Sequence, residues 1–177
     1  MLNVSIAVLL SIQPKWCELI ASGKKTVEVR KTRPKLETPF KVYIYQTKKT
    51  WVYNIFSKIA DWQGKVIGEF VCNSIEEIKQ NEVFNADVLC STTCLTIKEF
   101  LDYIGNKTSY CWHISNLVIY DQPKELSAFH NFCEKYPSCD DSCEYYAWTA
   151  EGGSECMCDT KKPFIRPSQS WRYAEEV

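Results

Sequence analysis

The sequence predicts an α+β fold: a small mixed pseudo-β-barrel with short flanking helices, followed by a cysteine-rich C-terminal extension. Three observations lead there. The chain has 177 residues, 45% hydrophobic and 14% aromatic, which is enough for one packed core and too apolar for a disordered chain. Five or six short strand-like runs are interspersed with two or three short helical patterns, without the regular spacing of βαβ units, and that favours a barrel over a doubly wound sheet. Of the ten cysteines, five crowd into one late segment, which reads as a separate module. The boundaries that follow are residues 1–125 for the body and 126–177 for the extension, whose closing segment packs on the body.

The elements can be justified in chain order. Val8-Leu9-Leu10-Ser11-Ile12 is a short apolar run, read as a first strand. Pro14 is tolerated in the first turn of a helix; Trp16, Leu19 and Ile20 follow at helical spacing, and Gly23 fits a C-cap. Lys25-Thr26-Val27-Glu28-Val29-Arg30 alternates, so Val27 and Val29 share one face while Thr26, Glu28 and Arg30 share the other. Arg33-Pro34 and Thr38-Pro39 bracket a loop, and Lys41-Val42-Tyr43-Ile44-Tyr45 is a second alternating strand. Residues 48–63 are basic and aromatic, read as a helix or a long loop. A glycine-initiated strand covers residues 64–72, and Ser74-Ile75-Glu76-Glu77-Ile78 reads as a short connecting helix. Thr96 with Glu99 three residues on is a capping-box signature, with Phe100, Leu101 and Ile104 as the apolar side of the helix. Residues 110–114 and 117–120 read as two further strands, and residues 127–136 as a helix that enters the cysteine module.

Charge is divided along the chain. The formal total is −1, but residues 1–68 hold 12 Lys/Arg against 4 Asp/Glu, a net of +8, and residues 69–177 hold 9 against 18, a net of −9. Such asymmetry points to a polyanion-facing surface on the first part, unless the two parts neutralise each other in the fold. The longest apolar run, Ile6 to Leu10, is too short to span a bilayer, and the first residues carry neither a basic n-region nor a cleavage pattern. A cytoplasmic protein with no membrane partner is expected, with thiols that are reduced or bind metal.

The late cysteines are spaced Cys133-x5-Cys139-x3-Cys143-x12-Cys156-x-Cys158. Tetrahedral zinc takes four ligands, often two short-spaced pairs across a loop. Four of these five would hold one structural zinc, whose binding free energy would fold an acidic segment poor in aliphatics. Disulfides or unliganded thiols are the competing readings. His130 is a weaker candidate ligand, and His113, between Trp112 and Ile114, reads as structural. Cys17, Cys72, Cys90, Cys94 and Cys111 read as small buried hydrophobes.

The order of motifs carries a resemblance. A strand ending in Ser11-Ile12-Gln13-Pro14-Lys15, a helix, then Ser22-Gly23-Lys24-Lys25-Thr26-Val27-Glu28-Val29-Arg30, and later Gly64-Lys65-Val66-Ile67-Gly68-Glu69-Phe70, resemble the ASCH domain of the PUA-like superfamily over roughly residues 8–122. The closing Arg166-Pro167-Ser168-Gln169-Ser170-Trp171 is similar to the end of a subset of these proteins, many of them phage or prophage encoded. The resemblance implies a PUA-like pseudo-barrel with a cleft beside the first helix, and association with RNA or modified bases. Some bacterial members are amidohydrolases that deacylate N4-acetylcytidine, and one is described as a ribonuclease. The amidohydrolase type uses a Lys and a Thr of a Gly-x-Lys-Thr-x-Thr stretch and a downstream Glu. Its Lys falls on Lys25; its Thr falls on Glu28, which cannot be the same nucleophile. Glu69 is the candidate second carboxylate.

The leading expectation is therefore a module that binds RNA, or a single-stranded or modified nucleic acid, in a cleft made by residues 11–33 and the closing Trp171 segment. Lys15, Lys24, Lys25, Thr26, Glu28, Arg30 and Trp171 are the candidate contacts: cations for phosphates, an aromatic face for stacking, and a carboxylate for an exocyclic amine. Lys31 and Arg33 extend the basic track, and Trp16, Trp51, Tyr110 and Trp112 are further aromatics. The alternative is an amidohydrolase on N4-acylated cytidine using Lys25, Glu28 and Glu69. A phage-type accessory protein that binds a host protein through the acidic part is a further alternative.

Overall fold

The computed structural model describes residues 6–49, 57–79, 86–131, 146–148, 154–156 and 163–176. Strand β1 (Ala7–Ile12) leads into helix α1 (Pro14–Ala21), edge strand β2 (Val27–Arg30), β3 (Phe40–Gln46) and the long β4 (Val66–Ile78). Helices α2 (Ala86–Thr93) and α3 (Ile97–Ile104) precede a 16-residue strand β5 (Ser109–Lys124), and a short 3-10 turn (Leu126–Ala128) precedes β6 (Phe129–His130). Among the described residues, strands β7 (Tyr146–Trp148) and β8 (Ser154–Cys156) pair with each other alone, and β9 (Trp171–Glu176) is the last element. The main sheet runs β2-β5-β4-β3-β1-β9-β6; β1 and β3 are parallel and the other pairs antiparallel.

The apolar run in β1 has a simple cause. Every residue from Ala7 to Ile12 is buried, because both faces of this interior strand are covered. Val8, Leu10 and Ile12 pack with Val42 and Ile44 of β3, and with Cys17 and Ile20 of α1. Leu9 lies on the opposite face with Tyr43, Tyr45, Phe129 and Ala174. Tyr43 and Phe129 meet edge to face with ring centroids 4.8 Å apart. A third cluster joins Val27 and Val29 of β2 to Phe100 and Ile104 of α3, so the alternation read in residues 25–30 faces its valines to a helix. The turn after α1 needs Gly23, whose φ is +72°. Gly68 lets β4 close on β5: a Cβ there would run into the Val118 carbonyl oxygen.

Several local readings change. Residues 74–78 are the end of β4, not a connecting helix: Ile75 to Ile78 pair with Trp112 to Ser109 of β5 after a shift of register past Cys72. Pairing with a long neighbour overrides a helix-favouring Glu-Glu dipeptide. The two strands read at 110–114 and 117–120 are one, β5, with Asn116 at φ +47° between them; asparagine tolerates that conformation, so the strand bends without ending. The helix expected over 127–136 is, where described, the 3-10 turn and β6, because Phe129 is fully buried against Tyr43 and its strand pairs with β9. Helix α2 is not foreseen from the sequence, and the described residues hold nine strands rather than five or six. Of the early cysteines, Cys17, Cys72 and Cys111 are buried, whereas Cys90 and Cys94 are partly exposed. Burial pushes the Cys17 thiol up, and those of Cys72 and Cys111 up to about 12, as expected of inert core thiols. His113 lies half exposed, 3.7 Å from Glu76.

The extension's cysteines lie outside the described residues, apart from Cys156, whose backbone ends β8 opposite Tyr146. Among the described residues no cluster of three His, Cys, Asp or Glu side chains could hold a metal. No described helix is long and apolar enough to cross a membrane.

Candidate nucleic-acid interface

Among the described residues the sheet is open at β2. Across the opening lies the C-terminal end of β1, and the bridge between them is a side chain: Arg30 Nη2 donates to the Ser11 carbonyl at 2.7 Å. A cleft of about 420 Å³ occupies this seam, at the lower end of the range for small-molecule sites. Its walls come from five places. β1 and α1 give Ser11, Ile12, Gln13 and Trp16; β2 and the turn before it give Lys25, Glu28, Val29 and Arg30; the segment after β3 gives Thr47, Lys48 and Lys49. The fourth wall is α3 and its entry, with Leu95, Glu99 and Tyr103, and the closing segment adds Gln169.

A buried ionic group sits in the β2 wall. Lys25 and Glu28 are only 3% and 6% exposed, so each requires compensation. The Lys25 ammonium lies 3.2 Å from Glu28 Oε2 and donates to the carbonyls of Val27 (2.9 Å) and Thr93 (2.8 Å), which engages its three protons. Arg30 Nη2 lies 3.0 Å from the other carboxylate oxygen. Lys25 and the Thr26 amide together satisfy the last carbonyls of α2, at Thr93 and Thr92, where a cation suits the helix terminus. Lys25 therefore ties α2, β2 and Glu28 together. The Trp16 ring lies beneath two cations, Lys15 at 4.4 Å and Lys25 at 5.2 Å.

The α3 wall is fixed by the expected capping box. Thr96 Oγ1 accepts from the Glu99 amide, and Glu99 Oε2 accepts from the Thr96 amide at 2.8 Å. The bond from the Thr96 amide, and then one that Thr96 Oγ1 donates to the same carboxylate oxygen at 2.8 Å, hold the Glu99 carboxyl below its ordinary range. Tyr103, one turn further along, carries Lys31 over its ring at 5.1 Å. Burial raises its phenol. The lining thus has four cations, Lys25, Arg30, Lys48 and Lys49, against two carboxylates, Glu28 and Glu99.

Of the candidate residues, Lys25, Glu28 and Arg30 meet in this wall. Lys15 stands beside it, over Trp16 and 4.0 Å from Glu99. Lys24 and Thr26 are exposed and do not line the cleft. Trp171 does not close it: β9 pairs with β1, and the indole packs toward Trp112 and Tyr173 while donating to Thr32 Oγ1 at 2.9 Å. The closing segment reaches the cleft instead through Gln169, with the Ser168 carbonyl accepting from Ser11 Oγ at 2.7 Å. Glu69 is not brought to Lys25 and Glu28. It stands opposite Tyr43 in register, on the Phe129 face of the sheet, where Lys41 lies 2.9 Å away and Tyr120 donates to it at 2.7 Å. Burial works to raise its pKa, but the hydrogen bonds from Tyr120 and Lys41 outweigh it and leave the carboxyl below its usual range.

Sequence reading misses Lys48, Lys49, Leu95, Glu99 and Tyr103 as lining residues. Glu99 and Tyr103 carry a signal, since positions four apart share a helix face. The paired lysines directly after a strand carry another.

The comparisons agree with this architecture. A family model described as the ASCH domain matches residues 10–138. No curated protein sequence matches the chain. Among solved structures, the chain is similar to the crystal structure of ASCH from Zymomonas mobilis, with a TM-score of 0.53 and 21% identity, covering 68% of this chain and 73% of that one. Crystal structures of two mutants of the same Zymomonas mobilis protein, one Tyr to Phe and one Ser to Ala, match with the same TM-score and identity and with 76% and 74% of their chains covered. A family model matched over most of the chain, together with a shared fold, means that this chain belongs to the ASCH domain family.

Proposed function

We propose that this ASCH domain binds single-stranded nucleic acid, seating one nucleotide in the cleft at the open edge of the sheet. The observation that carries this reading is the lining: four cations against two carboxylates, with Trp16 and Tyr103, in a volume of about 420 Å³. Because Lys25 is engaged within the wall, the phosphate contacts fall to the exposed Lys48 and Lys49. Fluorescence anisotropy with single-stranded RNA and DNA oligomers at two salt concentrations tests the reading. Binding should weaken with salt, and the Lys48→Gln/Lys49→Gln double variant should lower the slope by about 0.7 for each phosphate that is no longer neutralised. Absence of binding by the wild type at low salt would overturn it.

A second reading, hydrolysis of an N4-acylated cytidine, is favoured by one observation, the approach of Lys25 to Glu28 within the cleft wall. It is opposed by two others: Glu69 belongs to another face, and the Lys25 ammonium has no uncommitted proton. Release of cytidine from N4-acetylcytidine by the wild type would promote this reading over binding alone. For the extension, the reading is structural zinc on four of Cys133, Cys139, Cys143, Cys156 and Cys158, to be checked as about one zinc per chain by elemental analysis.

A further inference from the structure

The edge of β2 offers the cleft more than side chains. The Thr26 carbonyl accepts from the Ile114 amide at 2.9 Å, and the register then runs Val27↔His113, Glu28↔Trp112, Val29↔Cys111 and Arg30↔Tyr110 without a shift. In an antiparallel ladder, hydrogen-bonded and non-hydrogen-bonded pairs alternate. Glu28 and Arg30 are thereby the residues that exchange bonds with β5. Val27 and Val29 turn their amides and carbonyls the other way, toward the open edge.

The Val27 carbonyl confirms the geometry, because Lys25 Nζ reaches it from that side. Val29 lines the cleft; the alternation leaves its N–H and C=O without a bond to β5, and no described turn or loop pairs with them. Next to it, Arg30 Nε is a buried donor without a partner among the described residues. Val29 is only 5% exposed, and buried backbone groups are nearly always paired, by protein, water or ligand.

We propose that Val29 N–H and C=O form the reading edge of the cleft, taking the pairing edge of one unpaired nucleobase. This rests on the nucleic-acid reading above. An amide and a carbonyl on one extended residue present a donor beside an acceptor, the complement of the adjacent acceptor and donor on the pairing edge of a base. A peptide strand fits less well. Strand addition needs a row of such pairs, and β2 has four residues with the Val27 carbonyl already taken. The chemistry selects a base whose pairing edge is free, hence a single strand or an extruded nucleotide.

The test compares, by anisotropy at low salt, uridine and adenosine oligomers with an abasic strand, a duplex and an N3-methyluridine oligomer of equal length. The tighter of the two base-bearing single strands should bind at least about tenfold tighter than the abasic strand and the duplex, and uridine tighter than N3-methyluridine. Equal binding of all strands would overturn the reading edge while leaving a phosphate-tracking module. Failure of every strand to bind would overturn the underlying function instead. On the protein side, Val29→Pro removes an N–H that no ladder bond uses. It should abolish the preference for base-bearing strands while salt-dependent phosphate binding persists in the folded variant, with a lower Tm because Val29 packs on Phe100 and Ile104; Val29→Ile should keep the preference. If Val29→Pro fails to fold, the ligand series decides the question without it, and a Val29→Pro chain that folds and retains the preference overturns the proposal.

Discussion

Glu28 and Glu69 are two carboxylates in apolar strands beside lysines, and the fold treats them differently. Glu28 is 6% exposed and bridges Lys25 and Arg30 at the open edge of the sheet. The Glu69 side chain is 23% exposed, and its partners are the half-exposed Lys41 and the Tyr120 hydroxyl. The first is a buried network, in which each charge depends on the others. The second is largely a surface pair, screened by water. Strand position also separates them. β4 has a neighbour on each side, so its backbone is consumed by ladders; among the described residues β2 has one, so its far edge can face a ligand.

The sharpest way to break this contrast is Glu28→Gln. It would leave the Lys25 ammonium and the Arg30 guanidinium buried without a counter-charge, at a cost of about 3–5 kcal/mol. Thermal unfolding of the variant should show a correspondingly large drop in Tm. A loss below about 1 kcal/mol would mean that water reaches the group freely and that the two carboxylates belong to one class.

What the sequence makes legible is local. The apolar β1, the alternation at residues 25–30 and the Thr96–Glu99 box are each set by neighbours within a few residues, and each is present. What escapes is set by distant partners. Residues 74–78 become strand because β5 runs 16 residues and supplies a mate. A motif alone places Glu69 in the cleft, whereas its face follows from the register with Tyr43. The resemblance places the closing Trp171 segment at the cleft, yet β9 inserts between β1 and β6 and takes the indole with it. The roles of Val29's amide and carbonyl follow only from knowing that β2 is an edge.

An intermediate effect is expected at the α3 wall. Thr96→Ala removes the side chain that accepts from the Glu99 amide, leaving a first-turn donor to water and costing typically about 1 kcal/mol. Glu99 and Tyr103 line the cleft from this helix, so fraying of its first turn should also weaken binding of single strands. A variant with lower Tm but unchanged affinity would remove α3 from the ligand's surroundings.

The smallest effect should come from Glu69→Gln, and it should depend on pH. The folded carboxyl titrates below its unfolded value, because the hydrogen bonds from Tyr120 and Lys41 prevail over burial. A group with a depressed folded pKa stabilises above its unfolded pKa, about 4.3 for glutamate, and loses that contribution as pH falls through the folded value. Wild type should therefore exceed Glu69→Gln in stability near neutral pH by less than about 1 kcal/mol, as exposed pairs do. The difference should shrink as the pH falls from the unfolded value through the lower folded one, as the wild-type carboxyl becomes protonated and comes to resemble the amide. The Glu28→Gln deficit should be far larger at neutral pH, since two buried cations lose their counter-ion there. Equal deficits for the two variants at neutral pH would break the comparison, and a Glu69→Gln difference that grows on acidification would reverse the assigned direction of its shift.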